Sequence, residues 1–174
     1  MKALLSVAAL MLFMAAIGSA VLAQTDKDED DQDQAALVKA LTTAKVTLEG
    51  GLTASAAAGR PISGKFEMDE GKLQLSVYTE KGGKFFEVVI DLEKGTVSKS
   101  EPITEGDDLA AAKSQSAAMA KAKRSLKEAV GKAVAANKGS RAVSVFPETK
   151  DGHVSATVTL LSGQDTKTVS ETLD

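Results

Sequence analysis

His153 is the only histidine in the sequence, and therefore the only side chain whose ordinary pKa suits proton transfer near neutrality. Its chemistry depends on partners. A Ser–His–acid triad would have to be built around it. No Gly-x-Ser-x-Gly segment occurs to present a serine nucleophile. The residue follows Gly152 in a predicted hairpin, a place better suited to an exposed turn histidine than to a general base. Carboxylate pairs such as Asp69-Glu70 and Asp107-Asp108 are adjacent. On regular structure they point apart, so turn and helix-start roles suit them better than paired acid–base work. Asp26, Asp28 and Asp30 imitate the opening of a calcium loop. The sixth position is Asp31 rather than Gly and the twelfth is Leu37 rather than Glu, so the EF-hand pattern fails. No glycine-rich loop precedes a helix to cradle phosphate. Cysteine is absent, which excludes disulfides, thiolate metal sites and thiol catalysis. These residues lead us to expect no catalytic residue, no cofactor and no metal.

Charge is the sharper signal. The net charge of −3 averages two opposed blocks. Residues 26–33 carry six acids against Lys27. Residues 113–141 carry eight basic residues against Glu128. Within the second block Lys121, Arg124, Lys127 and Lys132 are expected near one helical face, where they could meet an acidic partner. With one Tyr, five Phe and no Trp, stacking platforms for single-stranded nucleic acid are missing. No nucleic-acid partner is expected.

The amino terminus reads as an export signal. Lys2 precedes an uncharged run from Ala3 to Leu22, and Val21-Leu22-Ala23 offers small residues at the positions a signal peptidase reads. Cleavage is expected between Ala23 and Gln24, giving a periplasmic or secreted protein. The run is also long enough to span a bilayer. The alternative is a retained anchor, the one route by which the chain would touch membrane. Residues 24–34 hold no strongly apolar side chain and are expected to be a disordered acidic spacer.

The remaining residues repeat. Shifting the chain by 78 positions sets Ala44-Lys45 on Ala122-Lys123 and Leu48 on Leu126. After a three-residue gap the shift becomes 81, and Arg60 meets Arg141, Ser63 meets Ser144, Gly71 meets Gly152 and Gly82 meets Gly163. Each copy opens on a capped helix. Ser125 with Glu128 forms a capping box before the apolar positions Leu126, Val130, Ala133 and Val134. Thr47 leads Leu48 and Leu52 in the first copy. Gly50 and Gly51 should weaken that first helix. The period then becomes alternating. Ile62, Gly64, Phe66 and Met68 make one set, Leu73, Leu75 and Val77 a second, and Phe86, Val88, Ile90 and Leu92 a third. Copy two echoes them through Val143 and Val145, then Val154 to Leu160, then Val169 and Leu173. Further helix is expected over 35–45 and 108–122. The expected fold class is α+β: two tandem modules, each a helix packed on a three-stranded antiparallel sheet, after an N-terminal signal helix. The modules would occupy 35–100 and 109–174, joined by a linker over 101–108.

The capped helix, the Gly-containing break and the segment Phe85-Phe86-Glu87-Val88-Val89-Ile90-Asp91-Leu92-Glu93-Lys94-Gly95-Thr96-Val97 resemble the PepSY domain family. The resemblance covers 44–100 well. It covers 122–174 only in part, because Thr172 stands where copy one has Asp91 and no equivalent of Gly95 or Val97 is present. What the resemblance implies is an exported, non-catalytic binding module, protease-regulating or protein-docking. Its expected partner is a protein of the cell envelope, a peptidase among the candidates. Two other readings stay open on the residues: an envelope hydrolase with an unusual acid-based site, and a structural protein whose acidic segment buffers divalent cations.

Overall fold

The computed structural model describes residues 35–174. The expected signal segment, its expected Ala23–Gln24 cleavage junction and the acidic stretch 24–34 lie outside the described residues. Residues 35–41 are helical (α1). Helix α2 (Leu48–Ser55) follows, then strands β1 (Arg60–Asp69), β2 (Lys72–Lys81), β3 (Lys84–Ile90) and β4 (Val97–Ile103). Helices α3 (Gly106–Lys121) and α4 (Leu126–Ala136) come next, then β5 (Arg141–Lys150), β6 (His153–Ser162) and β7 (Asp165–Thr172).

Hairpin chemistry sets the strand boundaries. Glu70-Gly71, Gly82-Gly83 and Asp151-Gly152 all have positive φ at both central residues, the requirement of the type I′ turn whose twist matches paired strands. The strands form one seven-stranded antiparallel sheet in the order β4-β3-β2-β1-β5-β6-β7. The α+β class holds. Separate three-stranded sheets do not form, because β1 pairs antiparallel with β5 through Gly64 opposite Val145 and Lys65 opposite Ser144. The first half also has a fourth strand. Its sequence, Val97-Ser98-Lys99-Ser100-Glu101-Pro102-Ile103, lacks apolar alternation because it lies at the sheet edge and is exposed along most of its length. Pro102 is tolerated there because an edge strand need not donate on its outer side. The linker expected over 101–108 is instead the end of β4 and the start of α3.

Helices α2 and α4 lie together on one sheet face. A Cβ built on Gly64 would meet Leu48 and Leu52 of α2 at 3.3 and 3.5 Å and Val77 of β2 at 3.6 Å. Leu48, Leu75, Val77, Val88, Val130, Val145 and Val158 are fully buried between these layers. Both caps form where the sequence puts them. Thr47 Oγ1 accepts from the Gly50 N–H at 3.1 Å, and Ser125 and Glu128 close a reciprocal capping box. On α4 the buried positions are Leu126, Ala129, Val130 and Ala133.

The two glycines of α2 differ in kind. A Cβ on Gly51 would stand 2.4 Å from Leu75 Cδ2 and 3.2 Å from its Cγ, and Leu75 is wholly buried with no room to withdraw. Gly50 meets nothing closer than 3.4 Å. Gly50→Ala is therefore expected to stabilise the protein by about 1 kcal/mol through helix propensity. Gly51→Ala should destabilise it, since overpacking costs about 1–3 kcal/mol. Urea midpoints of the two variants check the opposite signs.

Candidate docking surface

Alternation turns the next residue of each strand to the opposite face. Val77 lies under α2, so Tyr78 faces away from it, and there it meets α3: its hydroxyl donates to Asp108 Oδ1 at 2.8 Å. Helix α3 crosses this second face. Arg60, at the start of β1, ties it down by donating to the Met119 carbonyl at 3.0 Å and to Ser116 Oγ at 3.3 Å. Ala112, Gln115, Ala118 and Met119 of α3 are buried, as are Ser63, Ser76 and Tyr78 beneath it.

Around Tyr78 the face is acidic. Lys65 pairs with Glu67 at 2.7 Å, and Gln74 Nε2 donates to Ser76 Oγ at 2.8 Å. Burial raises the Glu87 carboxyl above its usual range, and the charges of Glu67 and Asp108 add to the rise. A hydrogen bond with Ser76 and the charge of Lys65 oppose it. Burial, then Asp108, pushes Tyr78 well above the ordinary tyrosine pKa and keeps it neutral. Glu87 thus binds its proton more tightly folded than unfolded. Its contribution favours the fold at low pH and is lost as pH rises from the ordinary 4.5 through its raised value. Glu87→Gln is expected to raise the melting temperature at pH 7, with the gain shrinking below the ordinary glutamate pKa. Melting curves from pH 3 to 8 read this directly.

The β5–β7 part of the same face carries few charges. Phe146 lies opposite Thr157, Ser144 opposite Thr159 and Glu148 opposite Ser155. Thr157 and Thr159 lie in turn opposite Ser170 and Thr168. Thr157 Oγ1 donates to Glu148 Oε1 at 2.8 Å. Their strand neighbours Val154, Ala156, Val158 and Leu160 are buried on the α4 side. Phe146, Thr157 and Thr159 are half-buried, and Thr168 and Ser170 are exposed. The result is a shallow, hydroxyl-rich surface with one aromatic ring in it.

The basic residues do not share one helical face. The chain leaves helix at Ala122, whose ψ is 140°, and re-enters after Ser125. Lys121 ends α3, Arg124 lies in the corner between the helices, and Lys127 and Lys132 belong to α4. Helical spacing across 121–132 is therefore interrupted. Lys132 is also engaged, with its Nζ 2.6 Å from Glu171 Oε2. Lys121, Arg124 and Lys127 are exposed.

His153 begins β6 with its side chain 83% exposed, and its Nδ1 lies 2.8 Å from Asp174 Oδ2. This carboxylate partner was not legible in the sequence, because Asp174 lies 21 positions away. The Asp174 carboxyl is held below the usual range by the Val154 N–H and then by His153. Among the described residues no group of three or more His, Cys, Asp or Glu is placed to hold a metal ion, and no helix is long and apolar enough to cross a membrane.

A scan against protein-family models finds no match to this chain, and searches of curated proteins and of solved structures likewise return none.

Proposed function

We propose that the protein is an exported docking module, built from two PepSY-like repeats fused through β1 and β5, whose partner is a protein of the cell envelope. Two cross-relations support the duplication. Gly64 pairs with Val145, the residue 81 positions on, which is its own counterpart in the aligned halves. Arg60 donates to the carbonyl of Met119 and Arg141 to that of Leu41, carbonyls 78 positions apart. Such relations are what a two-fold arrangement of duplicated units produces.

The observation that carries the docking role is the part of the β5–β7 face that α3 leaves uncovered. Helix α4 packs on the opposite side of these strands and α3 lies against β5, while among the described residues Phe146, Thr157 and Thr159 stay half-exposed and Thr168 and Ser170 exposed. An aromatic ring among hydroxyl groups suits protein recognition, since it supplies contact area with adaptable hydrogen bonding. A photo-crosslinking side chain at Thr159 or Thr168, in the protein expressed in its native envelope, should capture the same partner from both positions. The same probe at Lys94, on the far turn, should not. Phe146→Ala should reduce the yield at least tenfold. Equal capture from all three positions, or none from Thr159 and Thr168, would overturn the reading.

A further inference from the structure

We infer that the exposed edge of β7 pairs with β7 of a second copy of this chain, joining two molecules into one continuous antiparallel sheet.

The edge is open where its counterpart is not. In the first half the outer side of β3 is paired along its length with β4. Strand β7, which stands in the same place in the second half, pairs only with β6 among the described residues. Thr166, Thr168, Ser170 and Thr172 are all exposed.

The backbone fixes which groups are free. The Leu173 N–H donates to the Val154 carbonyl at 2.9 Å. Odd-numbered residues of this stretch therefore turn their N–H and C=O toward β6. Thr166, Thr168, Ser170 and Thr172 turn theirs outward. An antiparallel neighbour must set outward residues opposite outward residues, which restricts the registers to steps of two.

Side chains choose among these registers. With Val169 on the two-fold axis, Thr168 lies opposite Ser170 of the second copy and Thr166 opposite Thr172. Lys167 then lies opposite Glu171, and the two valines face each other at the close, non-hydrogen-bonded spacing of about 4.5 Å between Cα atoms. Hydroxyl pairs and opposite charges directly across are the favourable cross-strand combinations. Placing Thr168 on the axis would set Asp165 against Glu171. Placing Ser170 there would set Glu171 against Val169. A lysine on an edge strand ordinarily discourages pairing. Here Lys167 bonds only the neutral Asn137 amide, at 2.8 Å, so its charge is left for the carboxylate across the axis. Glu171 already holds Lys132 through Oε2, and its second oxygen remains to accept Lys167. The pairing uses about eight residues a side and belongs with weak, reversible interfaces.

The absence of cysteine makes the test clean. A Val169→Cys variant of the full chain should form a disulfide-linked dimer under mild oxidation at least tenfold faster than Ser100→Cys, which sits on the other sheet edge. Adding Thr168→Pro removes one outward N–H without touching the ladder to β6, and should cut that rate at least tenfold. Adding Lys167→Glu instead should cut it severalfold and reverse its dependence on salt, because two carboxylates then face each other across the axis. Circular dichroism confirms that each variant is folded. If the proline variant is not, the glutamate variant decides. A Val169→Cys chain that links no faster than Ser100→Cys overturns the inference. So does linkage that persists unchanged in the folded proline variant or, failing that, in the glutamate variant.

Discussion

Replacing Arg141 with methionine is expected to lower the unfolding free energy by about 3 kcal/mol, measured by urea denaturation. The guanidinium reaches across to the segment between α1 and α2. Its Nη1 donates to the carbonyls of Leu41 and Ala44, each at 2.9 Å, and its Nη2 donates to that of Val46. It also stacks over Phe66, 5.1 Å from the ring centroid. Leu41 and Val46 are buried, so their carbonyls have little water to turn to once the donors are gone. Methionine keeps an apolar contact with Phe66 and removes the three donated hydrogen bonds together with the cation–π contact. Arg60→Met supplies the control. That side chain is 41% exposed, its pairing with Glu80 at 3.4 Å is open to water, and it makes a single backbone contact. The loss there should be about 1 kcal/mol. Equal losses at the two arginines would contradict this account.

Leu173→Ala should cost about 3 kcal/mol, although the residue lies just beyond the end of β7. Its side chain is fully buried. Its N–H continues the β6–β7 ladder, and its carbonyl accepts from the N–H groups of Lys123 and Arg124 at 2.7 and 3.1 Å. It thereby fastens the corner between α3 and α4 to the end of β7. Shortening the side chain opens a void beneath that corner, and the surrounding backbone contacts resist its collapse. Thermal melting of the variant gives the size of the loss. A cost below about 1 kcal/mol would mean that the corner is held from elsewhere.

Much of the local structure was legible in the residues. Ser125 with Glu128 marked the start of α4, and Thr47 that of α2, because capping is a short-range hydrogen-bond pattern written in consecutive residues. Gly152 marked the hairpin before His153, since turn chemistry is likewise written in adjacent residues. Strand β4 escaped notice because an edge strand with polar side chains has no alternation to read. The joining of β1 to β5 was equally hidden. Gly64 opposite Val145 spans 81 positions, and no neighbouring residue records that pairing. The basic residues were misjudged from helical spacing that continues through Ala122 on paper, whereas the backbone turns there. The accessible face around Phe146 depends on which strand faces α2, α3 and α4 cover, and periodicity alone does not say which helix goes to which side.

The crosswise arginines also bear on how the molecule comes apart. Each half lends an anchor to the other: Arg60 to the helix that leads into the second half, Arg141 to the carbonyls that lead into the first. Melting either half removes a fastening from its neighbour. Heating should therefore give a single calorimetric peak whose measured enthalpy equals the van't Hoff value, rather than two overlapping events.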